Sequence, residues 1–364
     1  MKIIIFCHSL LSDWNHGNAH FLRGICSELI ERGHVVDVYE PEDAWSYQNL
    51  VADEGESFLA EFSAVYPKLR SIRYRSLALG KILQDAQLVI VHEWNSPKLI
   101  SELGAYRAKT SSFRLLFHDS HHCAVTQPEM ISNLDLSGYD GVLAYGASLR
   151  EIYLKNGWAR RAWVWHEAAD TRVFTPSVGQ EREYDLAWIG NWGDDERTSE
   201  LQEFLIQPVR DLQLKAIVYG VRYPPAALQT LRGAKITYGG WLANFHVPRV
   251  FGRSRVSVHI PRRPYLNALP GIPTIRPFEA LACGIPLISA PWRDTEGLFR
   301  SGKDYLLAEN GADMTIRLNA LLTRSDVADS LATNGLETVR RYHTCANRVD
   351  ELLQIFDTLG ADEN

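Results

Sequence analysis

The feature that most narrows the folds open to this chain is an alternation of short β-branched runs with helical patterns, carried through twice. Runs at 2–7, 34–39, 88–92, 114–118, 141–145 and 162–165 read as strands in the first half. Runs at 184–190, 214–220, 234–238, 255–260, 286–290 and 305–308 do so in the second. Between them lie segments such as HFLRGICSELIER, in which Phe21, Leu22, Ile25, Leu29 and Ile30 share one face at helical spacing. Strands that alternate with helices predict a parallel sheet covered on both faces. Two sets of similar size predict an α/β protein with two doubly wound Rossmann-like domains, 1–175 and 176–345, facing across a cleft.

Composition agrees and excludes much else. The 364 residues exceed one ordinary core and suit two. Apolar residues make up 46% and charged residues 23%, a globular balance. A formal charge of −6 argues against a nucleic-acid partner. The five cysteines are scattered, with no Cys-x-x-Cys pair, as expected of free thiols in a reducing compartment. The apolar start KIIIFCHSLL is followed at once by DWNHGNAH without a small-residue cleavage site, and reads as a first buried strand. No apolar run approaches the roughly 18 residues of a spanning helix. The expectation is a cytoplasmic protein.

Ligands of open α/β sheets bind beyond the carboxyl ends of the strands. Here those ends carry Cys7-His8, His92-Glu93, His118-Asp119, His166-Glu167 and Gly190-Asn191, polar pairs that predict a ligand cleft. The alternative is that part of them cap the following helices. Gly17, just ahead of a helix, permits close approach of backbone N–H groups to an anion, although one glycine is a weak signal. The segment FHDSHHC invites a metal reading, but its spacing matches no strict zinc site, and HEAAD is one residue short of a zincin pattern. GLFRSGKD lacks the Ser or Thr of a P-loop. With no Asp-x-Asp in the chain, no metal or other cofactor is expected.

The most informative stretch is RPFEALACGIPLIS. Pro277 is tolerated only in a first turn, which puts a helix start at 274–276 and Glu279 near its positive end. Arg276 beside that helix start suits phosphate oxygens. Glu279 then suits a neutral diol such as a ribose. The competing reading is an Arg276–Glu279 pair on the helix surface.

The same stretch resembles the donor-site motif of GT-B fold, group 1 glycosyltransferases, closest to the spore-maturation CgeB-like branch. HGNAHFLRGICSELIERGHVVDVY resembles that family's first glycine loop and second strand. FHDSHH resembles its N-domain histidine segment, and Asp170, Phe174 and Pro176 in WHEAADTRVFTP resemble the signature that closes its first domain. WIGNWGDDER resembles the phosphate loop of the second. The resemblance implies a metal-independent enzyme that moves a sugar from a nucleotide-sugar donor to an unidentified small-molecule, glycan or lipid acceptor, with retention. A catalytically silent nucleotide-sugar-binding protein and an epimerase of the same fold are the alternatives.

It further implies an acceptor-side domain 1–175, to which helix 346–360 crosses back, and a donor-side domain 176–345. Arg276 and Arg197 would hold the diphosphate and His118 would touch the sugar or leaving group. Glu279, Gly17, Asn18, Gly190, Asn191, Thr274, Ile275, Gly240 and Trp241 would bind the donor, with Trp14, His20 and Asp119 on the acceptor side. Many members carry a glutamate where this chain has Gly271. The basic stretch 67–81 reads as a solvated helix face, with membrane-surface contact the less favoured reading. Trp14, Trp94 and Trp241 are candidates for stacking on sugar or base.

Overall fold

The computed structural model describes residues 1–110, 112–177, 179–193 and 195–361. The chain divides into two compact units, one of Met1–Glu167 together with the chain from Cys345 on, the other of Ala168–Thr344.

The first unit is built on seven strands: β1 (Lys2–Phe6), β2 (Val35–Pro41), β3 (Ser71–Tyr74), β4 (Leu88–His92), β5 (Arg114–Asp119), β6 (Gly141–Ala144) and β7 (Ala162–Val164). They form one parallel sheet in the order β3-β2-β1-β4-β5-β6-β7. The central strands are continuous apolar runs, as helices on both faces require. Ile3, Ile4, Ile5 and Phe6 of β1 and Leu88 to Val91 of β4 are all buried, paired in register Ile3↔Leu88. The last helix, Cys345–Ala361, packs on the helix Ala19–Glu31. Arg348 O accepts from Trp165 Nε1 at 2.8 Å, and Asp350 pairs with Arg32 at 2.6 Å.

The second unit has six parallel strands: β8 (Tyr184–Ile189), β9 (Ala216–Tyr219), β10 (Thr237–Tyr238), β11 (Ser254–His259), β12 (Leu287–Ser289) and β13 (Leu306–Leu307). Their order is β10-β9-β8-β11-β12-β13. Period-two alternation divides β8 between two apolar layers. Leu186 and Trp188 join Val218, Val256 and Met314 on one face. Ala187 and Ile189 join Phe278, Leu281 and Phe299 on the other.

One reading from the sequence fails here. The basic stretch 67–81 is not one helix face: it holds the edge strand β3 and enters a single helical turn, Leu79–Ile82, only at its end. Its SIRY is short and mostly half-buried, too brief for period-two alternation to stand out. Among the described residues no helix is long and apolar enough to cross a membrane.

Candidate active site

Each sheet reverses its strand order once, and in the second unit the reversal falls between β8 and β11. A crevice opens at the carboxyl ends of such a pair. Gly190 follows β8 and must be small, because a Cβ would stand 2.9 Å from the Trp188 ring and 3.1 Å from Arg197 Nη2. Arg197 lays its guanidinium over Trp188 at 5.0 Å. Nη1 donates to Ile260 O at 2.8 Å and Nη2 to Asn191 O, so its bonds go to carbonyls and none to a carboxylate. Nε is buried without a hydrogen-bond partner. Burial pushes the Arg197 pKa down to about 9, and the charges of Arg262 and Arg276 push the same way.

Arg262, two residues beyond Ile260, pairs with Glu196 at 3.1 Å. It converges with Arg197 on Gly193, whose φ is +94°. A Cβ on Gly193 would lie 3.2 Å from Arg197 Nε and 3.6 Å from Arg262 Nε. The absent side chain leaves a notch walled by two guanidinium groups. His259, at the end of β11, bonds Ser289 Oγ through Nδ1 at 2.9 Å. Burial, then the charge of Arg197, holds its pKa down to about 3, so it adds no charge.

The helix Ile275–Ala282 begins after Thr274 in extended backbone, and Pro277 falls where a missing N–H costs nothing. Arg276 is part-exposed and bonds Glu279, which is fully buried and also accepts from Asn244 Nδ2 at 3.3 Å. Two expectations are corrected. Glu279 lies a turn beyond the positive end, and the first turn holds no acid. The Arg276–Glu279 pair does form, but its carboxylate is interior and not on the helix surface. Ile275 is buried in the helix's apolar face. Gly240 has φ +71° with open space around it, its carbonyl accepts from Gly220 N at 2.8 Å, and Trp241 beside it is half-buried.

In the first unit the reversal falls between β1 and β4. The loop after β1 is braced from below by buried Arg23, which pairs with Asp13 at 2.8 Å and donates to Leu10 O and Leu11 O. Beneath the strand ends His8, His16, His92 and His118 stand ring against ring, with centroids 5.8, 6.5 and 4.6 Å apart, and Trp165 closes the row 4.8 Å beyond His118. All four imidazoles are buried. Burial is the first cause that takes His8 down to about 4 and holds His16 and His118 well below the ordinary histidine value.

His118 is fully enclosed, and neither ring nitrogen has a hydrogen-bond partner. His20 and Asp119, expected on the acceptor side, are fully buried as well. Asp119 accepts from Tyr153 OH at 2.7 Å and from His121 N at 3.0 Å, and burial, then Glu93, pushes its pKa up to about 8. Gly17, Asn18 and Trp14 are half-buried. Asn18 caps the helix Ala19–Glu31 without a side-chain bond to it, and turns its amide to Ser120 instead. Ser120 Oγ in turn donates to Glu93 Oε1 at 3.1 Å. Among the described residues no three His, Cys, Asp or Glu side chains assemble as a metal site, the FHDSHHC segment included.

No curated protein matches the chain. Residues 197–354 match the family described as Glycosyl transferase-like, a span that holds Arg197, Arg262, Arg276 and Glu279. Solved structures match along the whole chain. Sucrose-phosphate synthase from Thermosynechococcus elongatus superposes with a TM-score of 0.70 at 12% identity, covering 100% of both chains. A glycosyltransferase from Rickettsia africae gives 0.69 at 12%, covering 98% of both. The Anabaena protein HepE in complex with UDP-glucose gives 0.68 at 13%, covering 98% of this chain and 100% of its own. The chain has the two-domain fold of these GT-B glycosyltransferases, and its second half is similar to the Glycosyl transferase-like family.

Several of the strand-end residues had no role in the sequence reading. Arg262 was legible as the first charged side chain after β11, but only once that strand's end is fixed at His259. Gly193 shows its role through a positive φ that sequence does not report. Glu93 was marked as a strand-end residue without a role. Gly271 has φ +89°, and a Cβ there would stand 2.2 Å from Thr295 Oγ1, so a glutamate at 271 does not fit this turn. The Glu296 carboxylate lies 3.3 Å from that same point.

Proposed function

We propose that this enzyme moves a sugar from a nucleoside-diphosphate donor to an acceptor hydroxyl, with arginines in place of a resident metal to carry the diphosphate's charge. The observation that carries the reading is the pair of arginines, Arg197 and Arg262, that walls the notch at Gly193. Arg197 is a buried cation bonded to no carboxylate, and Arg262 and Arg276 stand close enough to weaken its hold on its proton. An anion in the notch relieves that repulsion. As the bond from the sugar's anomeric carbon to the diphosphate oxygen breaks, negative charge builds on the leaving group. Cations already fixed in a dry site stabilise that charge without reorganising. The resemblance of the donor motif assigns the ribose hydroxyls to Glu279, which in the free protein is buried and held by Arg276 and Asn244. Retention rests on the resemblance of the donor motif alone.

UDP-glucose, bound to the Anabaena protein, is the first donor to try. The test is nucleotide release from UDP-, GDP- and ADP-sugars in chelator, together with calorimetry of the matching diphosphates. One donor is expected to turn over without divalent metal. Arg262→Ala and Arg276→Ala should each lower turnover about 10²-fold, as removal of one charge-stabilising donor does elsewhere. Turnover unchanged by both substitutions, or abolished by chelator, overturns the reading. Product analysis separates transfer from epimerisation and from silent binding.

A further inference from the structure

We infer that the Arg276–Glu279 bond is a latch that makes ribose recognition conditional on phosphate, with Asn244 as the positioning residue that holds Glu279 while the latch exchanges partners. The inference rests on the proposed donor site and adds a specificity to it: the site takes nucleotides and turns away bare nucleosides.

The free protein offers a ribose no open carboxylate. The Glu279 side chain has no exposed surface, and both of its oxygens are occupied, Oε2 by Arg276 Nη1 and Oε1 by Asn244 Nδ2 at 3.3 Å. The two partners differ in freedom. Asn244 is 3% exposed, at the head of the short helical turn Asn244–His246. The Arg276 side chain is 27% exposed and stands in the first turn of the helix Ile275–Ala282, three residues before Glu279. A long side chain with surface in solvent changes rotamer readily, whereas an enclosed amide stays where packing holds it.

Charge decides which way the arginine swings. The charge of Arg276 is felt at Arg197, whose own bonds go to the carbonyls of Ile260 and Asn191. An anion held by Arg197 and Arg262 beside Gly193 therefore attracts Arg276 too, and competes with Glu279 for it. The exchange needs both halves of a nucleotide. A nucleoside alone would have to displace the arginine and leave that cation without an anion. A phosphate alone would draw the arginine off and leave a buried carboxylate short of donors, which is costly. Together, the phosphate takes the cation and the ribose hydroxyls take the carboxylate, while Asn244 keeps Oε1 in place. Each half then strengthens the binding of the other by the same factor.

The experiment uses the full chain and calorimetry with uridine, guanosine and adenosine, each with sulfate as the stand-in for one phosphate and with sodium chloride of equal ionic strength. Sulfate is expected to tighten binding of one nucleoside about tenfold, and that nucleoside to tighten sulfate equally. In Arg276→Met the nucleoside no longer displaces a cation, so it should bind about tenfold more tightly than to the parent, with no further effect of sulfate. Asn244→Leu should weaken the nucleoside and leave sulfate as it was. Where the methionine variant folds poorly, the titrations of the parent decide. A nucleoside that binds as tightly in chloride as in sulfate, or a sulfate effect that persists in Arg276→Met, overturns the latch and leaves a permanent buried pair. Binding of UDP, GDP or ADP without that coupling sinks the latch alone; binding of none of them sinks the donor reading, and the latch with it.

Discussion

At the β8/β11 reversal of the second unit stand Arg197 and Arg262, with the charge of Arg276 felt at Arg197; at the β1/β4 reversal of the first stand four buried imidazoles and one carboxylate. The strand topology is the same in kind, and so is the burial. The chemistry differs because the two residue types answer burial differently. A buried arginine keeps its proton even with the pKa pushed down to about 9, and so remains a cation in want of an anion. His8, His16 and His118, buried, give up the proton and stay neutral. Topology therefore chooses where the strand-end side chains gather, and their titration chooses the charge they present.

The sharpest way to break this contrast is to remove a cation. Arg262→Ala should lower donor turnover about 10²-fold and weaken diphosphate binding, while hydrogen exchange of the first unit stays as it was. A change in both together would mean that the two clusters are not electrostatically separate. Acid is the next lever. His8, His16 and His118 are neutral when folded, but each takes a proton in the unfolded chain below about 6.5. The unfolded state then binds more protons, so stability falls with pH, for His8 from about 6.5 down to about 4. That single group is worth on the order of 3 kcal/mol across its window. Asp119 works the other way, because folded it keeps its proton up to about 8, so its contribution is lost as pH rises from about 4 to 8. With His34 also lowered and Glu40 raised, four histidines of the first unit oppose two acids, and among the described histidines of the second unit His259 has a resolved shift. Hydrogen exchange at pH 5 should show the first unit losing protection before the second. Equal loss in both would remove the electrostatic half of the comparison.

Gly193→Ala is a smaller probe of the notch. At φ +94° an alanine is strained, and its Cβ would stand 3.2 Å from Arg197 Nε. It should cost about 1–3 kcal/mol in stability, read as a lower melting temperature, and weaken UDP binding.

The sequence revealed the architecture better than the sites. Strands such as Ile3–Phe6 and Leu88–Val91 announce themselves because both faces are buried and every position is apolar. SIRY of β3 does not, since it lies at a sheet edge with Ile72 exposed. Arg276 and Glu279 were legible from Pro277, which fixes the helix start, but their pairing was not, because it depends on side-chain rotamers and on Asn244 far away in the chain. His118 was legible as a strand-end residue, yet its enclosure by Phe21, His92 and Trp165 is a product of tertiary packing. The same holds for Glu93, whose partner Ser120 follows β5 and is itself held by Asn18, the N-cap of the helix Ala19–Glu31.

The finest test separates orientation from charge within the second unit. Asn244 is buried and touches the latch through Glu279 Oε1. In Asn244→Leu the carboxylate keeps its charge but loses the bond that fixes its plane. A hydrogen bond of this kind contributes about 1 kcal/mol, so nucleoside binding in sulfate should weaken by less than about tenfold. Sulfate affinity should not move, because Arg197 and Arg262 take their bonds from Ile260, Asn191 and Glu196. If Asn244→Leu weakens the nucleoside as much as Glu279→Gln does, the plane of the carboxylate dominates recognition; if it has no effect, the charge of Glu279 carries the affinity and the amide is a bystander.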